Sequence, residues 1–177
     1  TFTNNQALIG NGGAIYASTA TITGTRFSGN SSTFNAATAP DPTGRGGALY
    51  AAGASYDGIS MQISGSSFTS NTAGDSGGAI YKAASVWVHT LSVANTTFSG
   101  NSAQTGGGAL MFGFTGSNGI TRITNSTIAG NSTVSGTGAG ISGPIKLLSN
   151  SIVANNSAGG NCSVASPDGG GNVVYGD

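Results

Sequence analysis

Short stretches of this chain alternate apolar with polar side chains and are punctuated by Gly or Asn. When the chain is aligned on a recurring Phe or Ile, the residue immediately before it is polar almost throughout, as at Arg26, Ser67 and Thr97. The residue five positions before it is apolar, and this column reads Ile22, Ile63, Val93, Ile123 and Leu147. A period of two is typical of half-buried β-strands, and the apolar spacing of a helix is not sustained anywhere. The pattern predicts many short strands joined by tight turns.

Two motifs repeat along the chain and alternate with each other. In the first, an aromatic or aliphatic residue lies three positions before an Asn, in the pairs Phe2/Asn5, Phe27/Asn30, Phe68/Asn71, Phe98/Asn101, Ile128/Asn131 and Ile152/Asn155. In the second, a run of small residues ends at a branched aliphatic residue, namely Ile15, Leu49, Ile80, Leu110 and Ile141. Successive Phe or Ile residues of the first motif are 25, 41, 30, 30 and 24 positions apart, so the chain contains about six units.

Units of this length hold two or three short strands that cannot bury their apolar faces alone. Stacking the next unit on them supplies the missing contacts. In a coil of parallel strands, equivalent positions of successive coils lie about 4.8 Å apart, so like residues stack on like. An antiparallel sandwich does not require the same residue at the same place in every unit. We therefore predict interior columns of Phe or Ile, of Asn, and of Ile or Leu in a parallel β-helix.

The predicted fold is all-β: one parallel β-helix (solenoid) domain over residues 1–177. Its six coils are expected at roughly 1–26, 27–67, 68–97, 98–127, 128–151 and 152–177. A right-handed winding is expected from the general handedness of parallel crossovers. Neither end has the composition of a capping segment. We therefore expect either a piece of a longer solenoid or ends that meet another protein or another copy of the chain.

Charged side chains are scarce, since five Lys or Arg and five acidic residues give a net charge of zero. Without a basic stripe the chain lacks the means to neutralise phosphates, so we expect no nucleic-acid partner. No apolar stretch is long enough for a transmembrane segment. Cys162 is the only cysteine and His89 the only histidine. We therefore expect neither a metal nor a cofactor, and we expect His89 to be an ordinary surface residue.

The pairing of Phe-x-x-Asn with Gly-Gly-Ala-Ile/Leu resembles the repeats of the polymorphic outer-membrane protein family and of related right-handed parallel β-helix surface proteins. The closing segment, residues 150–175, is similar to the last coils of large secreted bacterial β-helix proteins. The resemblance implies a pectin-lyase-like architecture without catalytic residues. It also implies a protein that is extracellular, at the cell surface or on the periplasmic side of the envelope, where it serves in adhesion to a host or matrix surface or in envelope architecture.

Two insertions interrupt the repeat and are the candidate partner-contact loops. The first contains Phe34, Asp41 and Arg45, and the second contains Tyr56. Extra residues in a solenoid emerge on its side, where partners often bind, although loop length alone is also well tolerated. Three tyrosines directly follow the Ile/Leu column: Tyr16, Tyr50 and Tyr81. Either they pack along one outer face or they offer a stacking surface to carbohydrate.

The sequence leaves three functions to compare. The first is a non-enzymatic adhesive or structural element, and the second is a self-stacking or accessory subunit of a filament or larger complex, joined through its ends. The third is a polysaccharide-active enzyme, because parallel β-helices also carry such activities. That chemistry needs clustered carboxylates, or a calcium site beside a basic residue. The best constellation is Asp41, Asp75 and Arg45 among otherwise scattered acids, so we predict no enzymatic activity.

Asn-x-Ser/Thr sequons also occur, among them those that begin at Asn30 and Asn125. A chain this rich in Asn, Ser and Thr is expected to contain such triplets by chance, so the sequence alone assigns them no role.

Overall fold

The computed structural model describes residues 1–34, 43–53, 58–84, 89–113 and 119–176. These residues form 22 short β-strands, and no helix occurs among them. The strands belong in turn to four sheets, which we label A, B, C and D in the order in which the chain first enters them.

The strands of each sheet come from successive circuits of the chain. Sheet A consists of β1 (Phe2–Thr3), β5 (Arg26–Ser28), β9 (Ser67–Thr69), β13 (Thr97–Ser99), β17 (Thr127–Ala129), β21 (Ile152–Ala154) and β22 (Val173–Tyr175). Sheet B consists of β2 (Gln6–Ala7), β6 (Ser31–Ser32), β10 (Thr72–Ala73), β14 (Ser102–Ala103) and β18 (Ser132–Thr133). Sheet C consists of β3 (Ile15–Ala17), β7 (Leu49–Ala51), β11 (Ile80–Lys82), β15 (Leu110–Phe112) and β19 (Ile141–Ser142). Sheet D consists of β4 (Thr19–Thr23), β8 (Ser60–Ser64), β12 (His89–Ala94), β16 (Gly119–Thr124) and β20 (Leu147–Ser149).

Every paired strand in the four sheets runs parallel to its neighbour in the next circuit. The described residues include five circuits that each give one strand to every sheet, from β1–β4 to β17–β20. A sixth circuit starts with β21, continues through isolated parallel bridges at Ser157, Cys162 and Asp168, and leads to β22. The predicted parallel β-helix is therefore confirmed, and no strand pair among the described residues is antiparallel.

A column of aromatic rings occupies the inner face of sheet A. Phe27, Phe68 and Phe98 are in register and wholly buried. The ring centroids are 4.5 Å apart for Phe27 and Phe68 and 5.0 Å apart for Phe68 and Phe98, with nearly parallel planes. Ile128 continues the column. Burying each of these side chains contributes roughly 1.5–3 kcal/mol, so the column is a large part of the core's stability.

A ladder of asparagines lies beside the aromatic column. The side-chain Nδ2 and the backbone N–H of Asn71 both donate to Oδ1 of Asn101, over 2.9 and 3.0 Å. The same Nδ2 also donates to the carbonyl oxygen of Phe27 over 3.2 Å. Equivalent bonds join Asn5 to Asn30, Asn30 to Asn71 and Asn101 to Asn131. Because each buried carboxamide has its partners in the neighbouring circuits, the ladder removes the cost of burying them.

The corners between sheets B and C explain the Gly-Gly-Ala motif. The first Gly has a left-handed backbone, as at Gly46 with φ of 67°. The second Gly has no room for a side chain, because a Cβ on Gly47 would collide with the carbonyl oxygen of Gly78 in the next circuit. The Ala that follows is wholly buried, and the branched aliphatic residue after it begins a strand of sheet C, as Ala48 and Leu49 show.

The corners between sheets D and A contain a second polar ladder, which the sequence analysis did not predict. Each corner turns at a residue with φ between 48° and 58°, namely Gly24, Gly65, Asn95, Asn125 and Asn150. The next residue carries a hydroxyl. Ser66 Oγ, for example, donates a hydrogen bond to the carbonyl oxygen of Ser64, two residues earlier. It also accepts a hydrogen bond from the backbone N–H of Thr25, at the corresponding corner of the preceding circuit, over 3.1 Å. Thr96, Ser126 and Ser151 repeat the arrangement.

The last member of the predicted Phe/Ile column was wrong by one residue. Val153, not Ile152, stacks on Ile128 and is wholly buried, whereas Ile152 lies on the outer face and is 44% exposed. The reason is that the core residue follows the corner between sheets D and A by three positions in every circuit, and this corner is at Asn150.

The last member of the Asn column was wrong by the same step. Asn156, not Asn155, accepts the side-chain bond of Asn131, over 2.9 Å. Asn155 is exposed instead and turns the chain with φ of 53°.

Two polar residues point into the core. His89 was expected at the surface, but it has no exposure, because it starts β12 on the inward side shared with Leu91 and Val93. Lys82 is 3% exposed and lies in register between Ala51 and Phe112, both of which are buried. Burial lowers the pKa of the Lys82 amine, because a charge is poorly solvated there.

Candidate functional site

The outer face of sheet C carries a column of tyrosines. Tyr16, Tyr50 and Tyr81 are in register, each between two inward-facing residues of its strand. Ring centroids are 5.0 Å apart for Tyr16 and Tyr50 and 5.5 Å apart for Tyr50 and Tyr81. Tyr50 and Tyr81 are each 8% exposed, whereas Tyr16 is 64% exposed. The column is therefore a packed outer ladder whose Tyr16 ring presents a large aromatic surface.

Arg45 and Asp75 form an ion pair beside this column. Arg45 Nε donates to Asp75 Oδ2 over 3.0 Å, with side chains 23% and 16% exposed. The guanidinium carbon of Arg45 lies 5.0 Å from the ring centroid of Tyr81, which is a cation–π distance. The backbone N–H of Arg45 donates to Oδ1 of Asn11 in the preceding circuit. The first insertion therefore returns to the solenoid at an anchored residue.

Asp75 also connects this pair to the next circuit, through Thr105. Its other oxygen, Oδ1, accepts hydrogen bonds from Thr105 Oγ1 over 2.8 Å and from Ser76 Oγ over 3.2 Å. Its backbone N–H donates to the carbonyl oxygen of Gly44 over 2.8 Å. Both carboxylate oxygens are therefore occupied by neighbouring donors. This arrangement suits a structural carboxylate better than a general acid or base, which needs a lone pair or proton for the substrate.

The electrostatics of the cluster follow from partial burial and the ion pair. Burial alone would lower the pKa of Arg45, but the hydrogen bond to Asp75 and the nearby phenols and carboxylate outweigh it and raise that pKa. Burial is also the main reason that the pKa values of Tyr50 and Tyr81 are raised. At neutral pH Arg45 is therefore a cation, and Tyr50 and Tyr81 are neutral phenols.

Four residues were predicted as partner contacts, and the structure describes two of them. Phe34 is 46% exposed, and Arg45 lies in the cluster just described. Asp41 and Tyr56 lie outside the described residues. The sequence analysis considered Asp41, Asp75 and Arg45 for acid–base chemistry, and the structure brings Arg45 and Asp75 together. We name Tyr16, Tyr50, Tyr81, Arg45 and Asp75 the tyrosine–arginine cluster. Phe34 lies next to it, beside Gly44 and Gly74, which precede Arg45 and Asp75 in the chain.

Two residues that bond to the cluster, Asn11 and Thr105, were not predicted from the sequence. Asn11 and Thr105 give no signal of their own in a chain rich in Asn and Thr. Their position relative to the Gly-Gly-Ala motif was the available signal, because Thr105 precedes Gly107 by two residues, as Asp75 precedes Gly77.

Over the described ranges, no group of three or more His, Cys, Asp or Glu side chains could hold a metal ion. The same ranges contain no helix that is long and apolar enough to cross a membrane.

Four parallel sheets, a buried Asn ladder and in-register Phe, Ile and Leu columns define a parallel β-helix repeat protein. The family model for the Chlamydia polymorphic membrane protein repeat matches residues 1–18, 24–52, 65–82 and 95–112. The chain is thus a β-helix repeat protein that resembles the polymorphic membrane protein family, a family of surface proteins, and an outer-membrane or surface location is indicated. Neither a curated protein nor a solved structure matches the chain.

Proposed function

We propose that this chain is a non-enzymatic, surface-displayed β-helix that acts as an adhesive element and contacts its partner through the tyrosine–arginine cluster. The observation that carries the proposal is the exposed Tyr16 ring on a packed aromatic column beside Arg45. Tyr and Arg are enriched among the residues that dominate binding energy at protein interfaces. The family resemblance supports a location where such a contact is possible.

The cluster is suited to a contact because it is held rigid before binding. The Tyr16 ring rests on Tyr50, and Tyr50 rests on Tyr81. Arg45 is fixed by Asp75 and Tyr81. Side chains that are already ordered lose less conformational entropy when a partner binds. The occupied carboxylate of Asp75 supports the absence of catalysis at this place.

Adhesion to cultured animal cells and to immobilised matrix proteins tests the proposal, with the purified chain displayed on beads. We expect the wild-type chain to bind above blank beads, and Tyr16→Ser and Phe34→Ser each to reduce binding about tenfold, as the loss of about 1.4 kcal/mol at an interface residue would. Val173→Ser is the matched control, since it removes an exposed apolar side chain from sheet A. Binding no better than blank beads, or equal losses in all three variants, would contradict the proposal.

A further inference from the structure

Six Asn-x-Ser/Thr sequons occur in the chain, and the fold separates them into two groups. Three begin at asparagines without exposure, namely Asn30, Asn131 and Asn161. The other three begin at exposed residues, namely Asn95, Asn125 and Asn155. The carboxamides of Asn30 and Asn131 belong to the interior ladder, where their Nδ2 atoms already donate to neighbouring circuits. A modifying enzyme cannot reach them while the coils are stacked.

Asn95 and Asn125 occupy the same corner in successive circuits, between sheets D and A. Both have a left-handed backbone with φ of 49°. No hydrogen bond joins either carboxamide to another group in the part of the chain that the structure describes. Because paired strands are about 4.8 Å apart, the two carboxamides lie one above the other at the surface.

The structure also explains why a full sequon recurs at this corner. The corner residue must tolerate a left-handed backbone, which favours Gly or Asn. The next residue supplies the hydroxyl of the polar ladder, as Thr96 and Ser126 do. The residue after that points outward from sheet A, and in these two circuits it is Thr97 or Thr127. The fold thereby presents carboxamide and threonine hydroxyl together at its surface.

We propose that Asn95 and Asn125 are acceptor sites for N-linked glycosylation of the folded protein. In this step Nδ2 forms a bond to the anomeric carbon of a sugar phosphate donor supplied with a glycosyltransferase. The bond from that carbon to the phosphate oxygen breaks, the phosphate leaves with the bonding electron pair, and the amide proton passes to a base of the transferase. The proposal does not depend on which partner the tyrosine–arginine cluster binds.

Such a modification suits the surface of this chain. A net charge of zero with few charged side chains provides little electrostatic repulsion between molecules. Sugars attached at this corner would increase the solubility of the exposed faces. The spacing of about 4.8 Å between the two sites leaves room for single sugars more readily than for two branched glycans.

The test uses the folded chain, UDP-glucose and a soluble N-glycosyltransferase that recognises Asn-x-Ser/Thr, with peptide mass spectrometry as the readout. Synthetic peptides containing each sequon first set conditions in which all are glucosylated. On the folded chain we expect a hexose on Asn95 or Asn125, with occupancy of Asn30 and Asn131 at least about tenfold lower, because those ladders must open before they react. Analysis by peptide keeps the sequon at Asn155 separate.

Matched variants separate the corner geometry from the surrounding sequence. Asn150 holds the same left-handed corner but is followed by Ser151 and Ile152, so it lacks the second hydroxyl. We expect Ile152→Thr to create a modified site at Asn150 and the nearly isosteric Ile152→Val not to do so. Thr97→Val is expected to remove modification of Asn95 alone. Absence of hexose from every corner asparagine of the folded chain, or equal occupancy of buried and corner sites, would overturn the proposal.

Discussion

At the residue scale, the interior of this solenoid is decided by which side of a short strand a side chain occupies. In β11, Tyr81 points outward, so Ile80 and Lys82 on either side of it must point inward. The equivalent positions hold Ala51 in the preceding circuit and Phe112 in the next. The position of Lys82 is therefore imposed by the register of its neighbours, despite the cost of burying an amine.

Lys82 should make the stability of the protein depend on pH. Its folded pKa is lowered, so between that value and the unfolded value of about 10.4 the unfolded chain binds more protons, and stability rises with pH. Lys82→Met removes the amine and therefore this pH dependence of the stability. We expect the variant to be more stable than wild type near neutral pH, with the difference shrinking toward pH 10.

Urea unfolding of both proteins at a series of pH values measures this difference. Comparing them cancels the contribution of Tyr50 and Tyr81, whose raised pKa values remove stability as pH rises above about 10, where the unfolded phenols ionise. Lys146→Met, at an exposed position, should run parallel to wild type. A constant difference between wild type and Lys82→Met across the whole series would contradict the argument.

The residue scale is also where sequence reasoning was least accurate. The apolar pair Ile152 and Val153 offers two candidates for one core position, and the Asn155 and Asn156 pair does the same for the ladder. The hydrogen bonds of Ser151 at the Asn150 corner set the register of this circuit, and that register places Val153 and Asn156 inside. These bonds are seen only in the structure. His89 was misplaced because a single polar residue at the start of a strand does not show whether its side chain points inward or outward.

At the element scale, the four sheets are fixed by the corners that join them. The Phe/Ile and Gly-Gly-Ala motifs were predictable because each recurs with recognisable residues in successive circuits. The hydroxyl ladder between sheets D and A was not, because Ser and Thr are abundant everywhere in the chain. A column of a common residue becomes visible in a sequence when it keeps a fixed distance from a distinctive neighbour, as the Asn column does from Phe or Ile.

The corner between sheets B and C at Gly46 and Gly47 should tolerate no side chain at its second Gly. A Cβ on Gly47 would meet backbone atoms of Gly78 and Thr72, which cannot move aside as a side chain could. We expect Gly47→Ala to lower the free energy of unfolding by about 2 kcal/mol, the usual cost of overpacking. Chemical unfolding followed by circular dichroism measures the change.

Gly24→Asn provides the matched control. Gly24 lies at a corner between sheets D and A, has open space where a Cβ would be, and is replaced by Asn95 at the same place two circuits later. We expect a change within about 0.5 kcal/mol for this exposed substitution. A similar loss in both variants would mean that backbone conformation, and not contact between circuits, limits these corners.

At the scale of the whole molecule, the protein is a stack in which each circuit completes the core and the hydrogen bonds of the one before it. The Phe rings, the Asn carboxamides and the corner hydroxyls all find their partners in adjacent circuits. This dependence explains why the repeat could be recognised from the sequence. It also holds both flanks of the first insertion on the solenoid, since Ser32 and Arg45 are each hydrogen-bonded to a neighbouring circuit.

The surface of the stack follows from the same repetition. Outward positions repeat once per circuit, so the tyrosine column and the paired corner asparagines each form a line along one edge of the solenoid. Both proposals concern such lines, but they lie on different faces and are tested by different variants.

A crystal structure of the chain tests the stacking of successive circuits most directly. The account predicts parallel strands throughout sheet A, with the rings of Phe27, Phe68 and Phe98 stacked at centroid distances near 4.5 and 5.0 Å and Asn71 donating to Asn101 beside them. Antiparallel neighbours in that sheet, or these three rings separated by other side chains, would contradict it.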